Sequence, residues 1–374
     1  MKIDDKTSHN SPSLRFPEFT GEWEKCVLGD YGKVVTGNTP PTKDIENYEN
    51  GTYLWASPAD LGTHKLISET KTKLSSKGFT KTRPLSKGSV LVTCIGSTIG
   101  KTGMATREMS TNQQINSIVV NENNDNEFVY YVVQSAFPHY LSSIAVQAVP
   151  IISKSSFELL PSKRPSLQEQ NKIGIFLSLL DERISTQHRL IDRLQSLMIG
   201  IAQKIAHSNK PNVRISDCLE CSSSALQESE VNKTGKYPVY GANGIVGYID
   251  KYHTQNEAIY IIKDGSGVGG VSYVTGKCSS TGTLNILQAK NGHSLKYLYY
   301  LLKVFNFVPY KTGMAIPHIY FKDYGKAKIF CPAYPEQLEY AKLLSSIDGN
   351  LRIALDSLKN FNLQKQYLLR HMLI

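Results

Sequence analysis

Two glycine-rich stretches are the first candidates in this chain for a nucleotide-binding site. Gly265-Ser266-Gly267-Val268-Gly269-Gly270 has the spacing G-x-G-x-x-G, but a dinucleotide site also needs a helix to follow, with its N-terminus against the pyrophosphate. Residues 271–274 instead alternate like a strand, which favours a glycine turn between two strands. Gly96-Ser97-Thr98-Ile99-Gly100-Lys101-Thr102 is one residue short of a P-loop. We therefore predict two matching structural turns, whose N–H groups and hydroxyls suit phosphate or base-edge contacts.

The cysteines and histidines show no pattern typical of catalysis or metal binding. Cys218-x-x-Cys221 is a lone pair without a second CxxC or a histidine pair, so two unrelated thiols are favoured over a zinc or redox site. The G-x-S-x-G elbow, the HExxH motif and the Asp/Asn-Pro-Pro-aromatic loop of adenine methyltransferases are absent. We predict no catalytic residue, no metal ligand and no cofactor site. The scattered cysteines fit a reducing cytoplasm.

Basic residues suggest a polyanionic partner. The chain has 42 basic and 32 acidic residues, and residues 210–334 alone have 14 against 8. Residues 65–87 hold seven basic residues against one acid, Glu69, and fit phosphate contacts as well as they fit a solvated surface loop. Asn and Gln read adenine, and Lys reads guanine. The candidate DNA-contacting residues are Ser57, Asp60, Lys71, Lys73, Lys77, Lys81, Arg83, Gly96, Ser97, Thr98, Lys101, Asn112, Gln113, Gln114, Tyr240, Asn243, Lys263, Ser266 and Thr281.

These residues lie in globular regions that two long helices separate. Apolar residues at steps of three, four and seven predict a helix over 167–205, which at 1.5 Å per residue is roughly 57 Å long. The same stripe recurs 167 positions later, over 338–372, and only Lys365 breaks it. A helix of this length cannot bury its stripe in one compact domain, so we predict that the two helices pair in a coiled coil. The predicted stripe residues are Ile173, Phe176, Leu180, Ile184, Ile191, Leu194, Met198, Ile201 and Ile205, with their counterparts Tyr340, Leu343, Ile347, Leu351, Leu358, Phe361, Lys365, Leu368 and Met372.

The repeat extends into the globular regions. Ala148-Val149-Pro150 matches Ala315-Ile316-Pro317, and Gly96-Ser97 matches Gly265-Ser266. Predicted strands at 90–95, 117–120, 258–262 and 284–287, with short helices at 128–140 and 295–305, give an α+β fold. We predict two strand-rich globules, 1–165 and 210–334, and two helices, 166–209 and 335–374.

The chain resembles the DNA-specificity subunits of type I restriction-modification systems. The resemblance rests on Leu14-Arg15-Phe16-Pro17-Glu18-Phe19 near the start, on Pro238-Val239-Tyr240-Gly241-Ala242-Asn243-Gly244, and on Pro165-Ser166-Leu167-Gln168-Glu169-Gln170 with its variant Pro332-Ala333-Tyr334-Pro335-Glu336-Gln337. It implies that each globule is a target-recognition domain for one half of a bipartite, asymmetric DNA site. It also implies that the helices form an antiparallel coiled coil that sets the spacing between the two halves.

The resemblance further implies that the chain is a non-catalytic subunit with several partners. They would be double-stranded DNA, two methyltransferase subunits that use S-adenosylmethionine, and two restriction-translocase subunits that use ATP and Mg²⁺. A membrane partner is not expected, because no stretch approaches 18 apolar residues. A self-contained methyltransferase or nuclease, and a scaffold whose globules bind proteins, remain the alternatives.

Overall fold

The computed structural model describes residues 11–143, 151–314 and 316–373. The chain forms two compact units, Met1–Thr186 with Leu358–Ile374, and Gln187–Ser357. The repeated residues 148–150 and Ala315 lie outside the described residues, so their predicted equivalence stays a prediction. Each predicted long helix contributes one end to each unit.

Among its described residues, the first unit contains ten short strands, the beginning of one long helix and the end of the other. The strands are β1 (Glu24–Val27), β2 (Gly32–Thr36), β3 (Tyr53–Ala56), β4 (Leu66–Ile67), β5 (Thr72–Leu74), β6 (Val90–Thr93), β7 (Thr102–Ala105), β8 (Ser110–Thr111), β9 (Ile115–Val120) and β10 (Pro161–Arg164). The helices are α1 (Ser76–Thr80), α2 (Asn126–Ser143), α3 (Lys154–Glu158) and α4 (Leu167–Ala206), and 3-10 turns span Leu28–Tyr31, Ile45–Asn47 and Pro58–Asp60.

The second unit repeats most of these elements. Its strands are β11 (Val213–Arg214), β12 (Leu219–Ser223), β13 (Tyr237–Gly241), β14 (Gly244–Ile249), β15 (Glu257–Ile262), β16 (Val271–Thr275), β17 (Ser279–Ser280), β18 (Leu284–Ala289) and β19 (Lys328–Ile329). Its helices are α5 (Ile215–Cys218), α6 (Leu295–Val304), α7 (Phe321–Tyr324) and α8 (Tyr334–Met372), with 3-10 turns at Glu228–Glu230 and Val308–Tyr310.

The sheets of the two units share one topology. The first unit has a sheet of order β2-β9-β6-β7-β4, and the second has β12-β18-β15-β16, which is the same order without the fifth strand. In each unit a smaller sheet places a short strand parallel to its central strand, β8 beside β3 and β17 beside β13. The predicted α+β fold, with two strand-rich globules in tandem, is therefore confirmed.

Apolar side chains from the larger sheet, α2 and the long helices form the core of the first unit. Val90, Val92 and Ile118 are fully buried on β6 and β9, and Phe128 and Tyr131 of α2 cover them. Completely burying an aliphatic or aromatic side chain of this size contributes about 1.5–3 kcal/mol. The strands predicted at 90–95, 117–120, 258–262 and 284–287 are confirmed, with ends shifted by one or two residues.

The predicted pairing of the two long helices is confirmed. Gln187 Nε2 donates to the Ala354 carbonyl at 2.8 Å, whereas Met198 and Ala202 lie beside Leu351. As residue numbers rise along α4, those of the partner residues on α8 fall, so the helices run in opposite directions. Most of the predicted stripe is buried or half-buried, but Phe176 and Leu343 are exposed. Their neighbours Leu177 and Leu344 are completely buried instead. Near its start α4 packs against its own globule, and there the inward-facing positions lie one residue later than we predicted.

Lys365 does not disrupt the packing of α8. Its Nζ forms an ion pair with Asp181 Oδ1 of α4 at 2.6 Å, and it lies 5.6 Å from the centre of the Tyr131 ring. The Tyr131 hydroxyl donates to the other oxygen of Asp181 at 2.6 Å. Lys365 is therefore part of a half-buried polar network that includes α2, α4 and α8. Lys365 does break the apolar stripe, as the sequence indicated, and its ion pair with Asp181 explains how the helix accommodates a cation at this position.

The two Gln residues of the repeated helix-entry motif make equivalent hydrogen bonds. Gln170 accepts from the Asp125 N–H at 3.1 Å and donates to the Pro165 carbonyl at 3.0 Å. Gln337 accepts from the Ser294 N–H and donates to the Pro332 carbonyl, both at 2.8 Å. Both glutamines are 1% exposed. Each side chain thus joins the first turn of a short helix to the first turn of a long helix.

We expect Gln170→Ala to destabilise the first unit by about 1.5 kcal/mol, because it leaves a buried N–H and a buried carbonyl without partners. Trp23 and Trp55 are the two tryptophans of the chain, and both lie in the first unit, so tryptophan fluorescence during urea unfolding reports on that unit. Gln168→Ala, an exposed position in the same helical turn, is the matched control and should change stability by less than about 0.5 kcal/mol. Equal effects of the two substitutions would contradict the assigned hydrogen bonds.

Candidate nucleic-acid interface

The two glycine turns have nearly the same backbone geometry. The φ angles are 94° at Gly96 and 95° at Gly265, then 90° at Gly100 and 91° at Gly269. These values lie in the left-handed region, which glycine adopts without the steric penalty that a Cβ brings. A strand precedes and follows each turn, β6 and β7 in one case and β15 and β16 in the other. The predicted matching turns between strands are confirmed.

The same hydrogen bonds close both turns. The Gly100 N–H donates to the Thr93 carbonyl and the Gly269 N–H to the Ile262 carbonyl, each at 2.9 Å. Ser97 and Ser266 are exposed at the tips, and Thr98 is half-buried. The Lys101 side chain is half-buried and lies over Gly62, where an added Cβ would be 3.0 Å from its Cγ. Each turn therefore presents a small hydroxyl on a rigid backbone.

Amide side chains surround the first turn. Gln114 Nε2 lies near Gly96, and Gln114 Oε1 accepts a hydrogen bond from Asn112 Nδ2 at 3.0 Å. Asn112 is 7% exposed, and its Oδ1 accepts from the Gln114 N–H. Asn112 thus positions the Gln114 amide, while the neighbouring Gln113 is exposed to solvent.

The loop after β2 brings Arg83 towards these amides. Asn38 Nδ2 donates to the Lys81 carbonyl at 2.8 Å, and its Oδ1 accepts from the Arg83 N–H at 3.1 Å. Arg83 Nη1 donates to the Thr36 carbonyl, and the side chain is exposed. The Thr39 hydroxyl donates to Gln113 Oε1. We call Asn38, Thr39, Arg83, Asn112, Gln113 and Gln114 the first polar surface. Asn38 and Thr39 were missed from sequence, and their place directly after a strand was the available sign.

Ser57, Asp60 and Lys71 form a separate loop closure. Asp60 Oδ2 accepts from the hydroxyl and the N–H of Ser57 at 2.8 and 2.9 Å, and Asp60 Oδ1 accepts from the Lys71 N–H at 2.8 Å. These bonds occupy both carboxylate oxygens of Asp60. Its main contribution is therefore to tie the loop that follows β3 to the segment between β4 and β5, where Lys71 remains exposed.

Acidic residues pair with several candidate lysines. Lys73 pairs with Glu69 at 2.6 Å, Lys81 pairs with Asp44 at 2.9 Å, and Lys77 contacts both Asp44 and Glu46. Exposed pairs of this kind contribute little to stability, but they reduce the positive potential at the surface. Among the candidate basic residues within 65–87, Lys71 and Arg83 have no acidic partner in the described part of the chain.

Lys65 differs from the other basic residues of this segment. Its Nζ donates to Glu127 Oε2 at 2.6 Å, to the Tyr131 hydroxyl at 3.1 Å and to the Ser178 hydroxyl at 3.0 Å. Only 12% of its side chain is exposed. Lys65 thus belongs to the network that holds α2 against α4 and is not available for a phosphate.

The second polar surface lies beside the second turn. Its members are Tyr240, Asn243, Lys263, Ser266, Thr281 and Thr283. The Thr281 N–H donates to the Tyr240 carbonyl at 2.9 Å, and the Lys263 N–H donates to the Thr283 carbonyl at 3.0 Å. The Thr281 and Thr283 hydroxyls are 2.8 Å apart. Thr281 is 2% exposed, so it supports the surface from below, whereas Asn243 is exposed at the tip of the β13–β14 hairpin.

The positive charge of the second globule is not neutralised by ion pairs. Within the described part of 210–334, no Lys or Arg pairs with a carboxylate. Several lysines lie over tyrosine rings instead, such as Lys277 over Tyr252 at 4.9 Å and Lys322 over Tyr320 at 5.2 Å. A surface of this kind attracts polyanions, and the attraction weakens as salt increases.

Two copies of a strand-rich globule, each with a polar surface beside the same turn and each followed by a long helix, define a duplicated recognition protein. Residues 20–196 and 208–360 match the family model described as type I restriction modification DNA specificity domain. The chain belongs to this family and carries two copies of its domain.

Known members of the family support this assignment. The type I restriction enzyme MjaIX specificity subunit of Methanocaldococcus jannaschii is 27% identical over 186 residues, which are 48% of this chain and 43% of that protein. The HindI specificity subunit of Haemophilus influenzae is 26% identical over 187 residues, 47% of this chain and 40% of its own length. Each match therefore spans less than half of these curated relatives.

A solved structure with a similar fold covers nearly the whole length of this chain. The crystal structure of a type I restriction-modification S subunit from M. genitalium covers 97% of this chain and 99% of its own, with a TM-score of 0.69 and 18% identity. Among the described residues, no helix is long and apolar enough to cross a membrane.

Proposed function

We propose that this chain is the DNA-specificity subunit of a type I restriction-modification enzyme and that it reads a bipartite, asymmetric DNA site. The first polar surface would read one half of the site and the second polar surface the other half. The paired helices α4 and α8 would set the spacing between the two halves. By the 1.5 Å rise per residue, the 40 residues of α4 extend over about 60 Å.

The observation that carries this proposal is a shared backbone frame with different side chains. The Asn112 N–H donates to the Ala56 carbonyl at 2.9 Å, just as the Thr281 N–H donates to the Tyr240 carbonyl. In this alignment, Asn112-Gln113-Gln114 of the first copy is replaced by Thr281-Gly282-Thr283 in the second. Asn and Gln amides favour adenine, whereas Thr hydroxyls contact bases without such a preference, so two such surfaces would recognise different sequences.

The named candidates divide into three roles in this proposal. Arg83, Gln113, Gln114, Asn243 and Lys263 would contact base edges. Lys71, Lys101 and the hydroxyls of Ser97, Thr98 and Ser266 would contact phosphates. The remaining candidates would not contact DNA directly. Ser57, Asp60, Gly96, Asn112, Tyr240 and Thr281 would hold the loops and turns that carry the others. Lys73, Lys77 and Lys81 are paired with acids and would contribute little.

Catalysis would belong to partner subunits. Two methyltransferase subunits would supply adenine methylation from S-adenosylmethionine, and two restriction-translocase subunits would supply ATP- and Mg²⁺-dependent cleavage. The relatives named above are specificity subunits, which favours a chain without its own cofactor. The complex would work in the cytoplasm, where the DNA is.

Methylome sequencing tests this function. We expect co-expression with the cognate methyltransferase to methylate adenines at one bipartite motif. Exchange of 210–334 for the corresponding region of another specificity subunit should change one half of that motif and leave the other half unchanged. A motif altered in both halves, or no motif despite an active methyltransferase, would contradict the proposal. Purified chain that methylates or cleaves DNA alone would favour a self-contained enzyme.

A further inference from the structure

Three potential metal ligands from distant parts of the sequence meet at the base of the second globule. Cys218 ends α5, His293 precedes α6, and Cys331 lies three residues before α8. Their ligand atoms all lie within 4.8 Å of one another, and Cys331 Sγ is 3.6 Å from His293 Nδ1. Cys218 is completely buried and Cys331 is 7% exposed. Cys221, the other half of the CxxC pair, is not part of this cluster.

These separations fit a tetrahedral zinc ion. With Zn–S near 2.3 Å and Zn–N near 2.0–2.1 Å, sulfur and nitrogen ligands of one ion lie about 3.6 Å apart, and two sulfurs lie about 3.8 Å apart. The distance from Cys331 Sγ to His293 Nδ1 has this value. The distances from Cys218 Sγ to the other two ligand atoms are at most 4.8 Å, so each would shorten by about 1 Å or less when an ion binds. Two thiolates and an imidazole are also the ligand types that zinc prefers over harder cations.

The first copy shows that the fold itself does not require these residues. The Leu28 N–H donates to the Leu160 carbonyl and the Ile215 N–H to the Ala327 carbonyl, so the start of the second globule aligns with that of the first. Under this alignment Tyr31 takes the place of Cys218.

The other two positions align in the same way. Gln170 and Gln337 make the same bonds to Asp125 and Ser294, which places Asn124 opposite His293. The same offset as between these glutamines places Arg164 opposite Cys331. The first copy thus has a phenol, an amide and a guanidinium at these three positions, and the second copy replaces all three with metal ligands.

Hydrogen bonds to their backbone groups hold the three ligand residues in place. Asn212 donates to the Cys331 carbonyl and accepts from the Cys331 N–H, both at 2.8 Å. The Lys290 N–H donates to the Cys218 carbonyl at 2.9 Å, and the His293 N–H donates to the Lys290 carbonyl at 3.2 Å. The cluster therefore exists on a fixed frame before any ion binds.

We propose that Cys218, His293 and Cys331 bind one zinc ion, with water as the fourth ligand. The ion would tie together the start of the second globule, the loop before α6 and the entry to α8, which are 75 and 38 residues apart in sequence. Its role would be structural, because the ion would add a link among three segments that hydrogen bonds already hold close together.

Metal analysis of the purified full-length chain tests this site. We expect about one zinc per chain, and the chain refolded with Co²⁺ should show thiolate-to-cobalt charge-transfer absorption. Cys218→Ser, Cys331→Ser and His293→Asn should each lower the zinc content to near zero. His293→Asn introduces the residue that the first copy has at this position, and Cys221→Ser is the matched control, which should retain its zinc.

The wild-type measurements decide the question even if a variant fails to fold. Wild-type chain without stoichiometric zinc and without the cobalt–thiolate band would overturn the proposal. A disulfide between Cys218 and Cys331 under reducing purification, seen as two missing thiols in a thiol titration, would overturn it as well. Retention of zinc by all three cluster variants would place the ion elsewhere.

Discussion

Replacing Arg83 and Gln113 together by alanine is expected to weaken binding to the specific DNA site by about a hundredfold. Both side chains are exposed on the first polar surface, and the described residues include no acid that pairs with Arg83. Good bidentate contacts to a base edge are worth about 1–3 kcal/mol each, and 1.4 kcal/mol corresponds to a factor of ten. Fluorescence anisotropy of the methyltransferase complex at fixed salt, with a duplex carrying the motif found by methylome sequencing, measures this loss.

The matched control is Lys73→Ala combined with Lys77→Ala. These lysines come from the same segment, but they already form ion pairs with Glu69, Asp44 and Glu46. We expect this pair of substitutions to change the affinity less than about threefold. A stronger loss in the control than in the Arg83 and Gln113 variant would show that charge density, rather than the first polar surface, determines binding. Binding to a duplex without the motif should be nearly unaffected by Gln113→Ala.

The basic segment at 65–87 shows what a count of charges leaves out. Seven basic residues against one acid predicted a positive surface. The fold brings Asp44 and Glu46 from an earlier loop to Lys77 and Lys81, and it brings Glu127 from α2 to Lys65. These partners lie between 31 and 62 positions away along the chain. Charge pairing of this kind depends on tertiary contacts. The excess of 210–334 survives because no carboxylate pairs with a Lys or Arg among the described residues of this range.

Local sequence patterns were sufficient to predict those elements whose conformation depends on the backbone of a few neighbouring residues. Glycine at 96, 100, 265 and 269 predicted two matching turns because left-handed φ angles are accessible to glycine in any context. The steps of three and four predicted the long helices for the same local reason. The inward-facing position at Leu177 and Leu344 was displaced by one residue from the prediction, because packing against a globule selects the facing side.

The cluster of Cys218, His293 and Cys331 could not be predicted from the spacing of metal ligands in the sequence. Metal motifs are recognised in sequence when ligands lie a few residues apart, as in CxxC. Here the neighbour in sequence, Cys221, is not a member, and the members come from three separate segments. Comparison of the two copies makes the cluster stand out, since the repeat shows which positions changed to metal ligands. Internal duplication therefore carries information that a single copy lacks.

Lys365→Met is expected to destabilise the first unit by about 3 kcal/mol, although it restores the apolar stripe. The stripe position 167 residues earlier is Met198, so the sequence pattern alone predicts that Met at 365 stabilises the helix pair. In the structure, Asp181 accepts from Tyr131 and pairs with Lys365, and the lysine and aspartate are each 18% exposed. Removing the cation leaves a carboxylate in a poorly hydrated site, which costs several kcal/mol when one partner of a buried pair is lost. Urea unfolding followed by tryptophan fluorescence measures the change.

The double variant Lys365→Met with Asp181→Asn separates this explanation from a simple packing effect. The neutral amide can still accept from the Tyr131 hydroxyl, and it leaves no uncompensated charge beside the methionine. We expect it to recover at least half of the lost stability, because replacing both members of a buried pair is often close to neutral. Lys73→Ala, which breaks an exposed pair in the same unit, should cost less than about 1 kcal/mol. Higher stability of Lys365→Met than of the wild-type chain would contradict the network, and it would show that the apolar stripe alone determines how α4 and α8 pack.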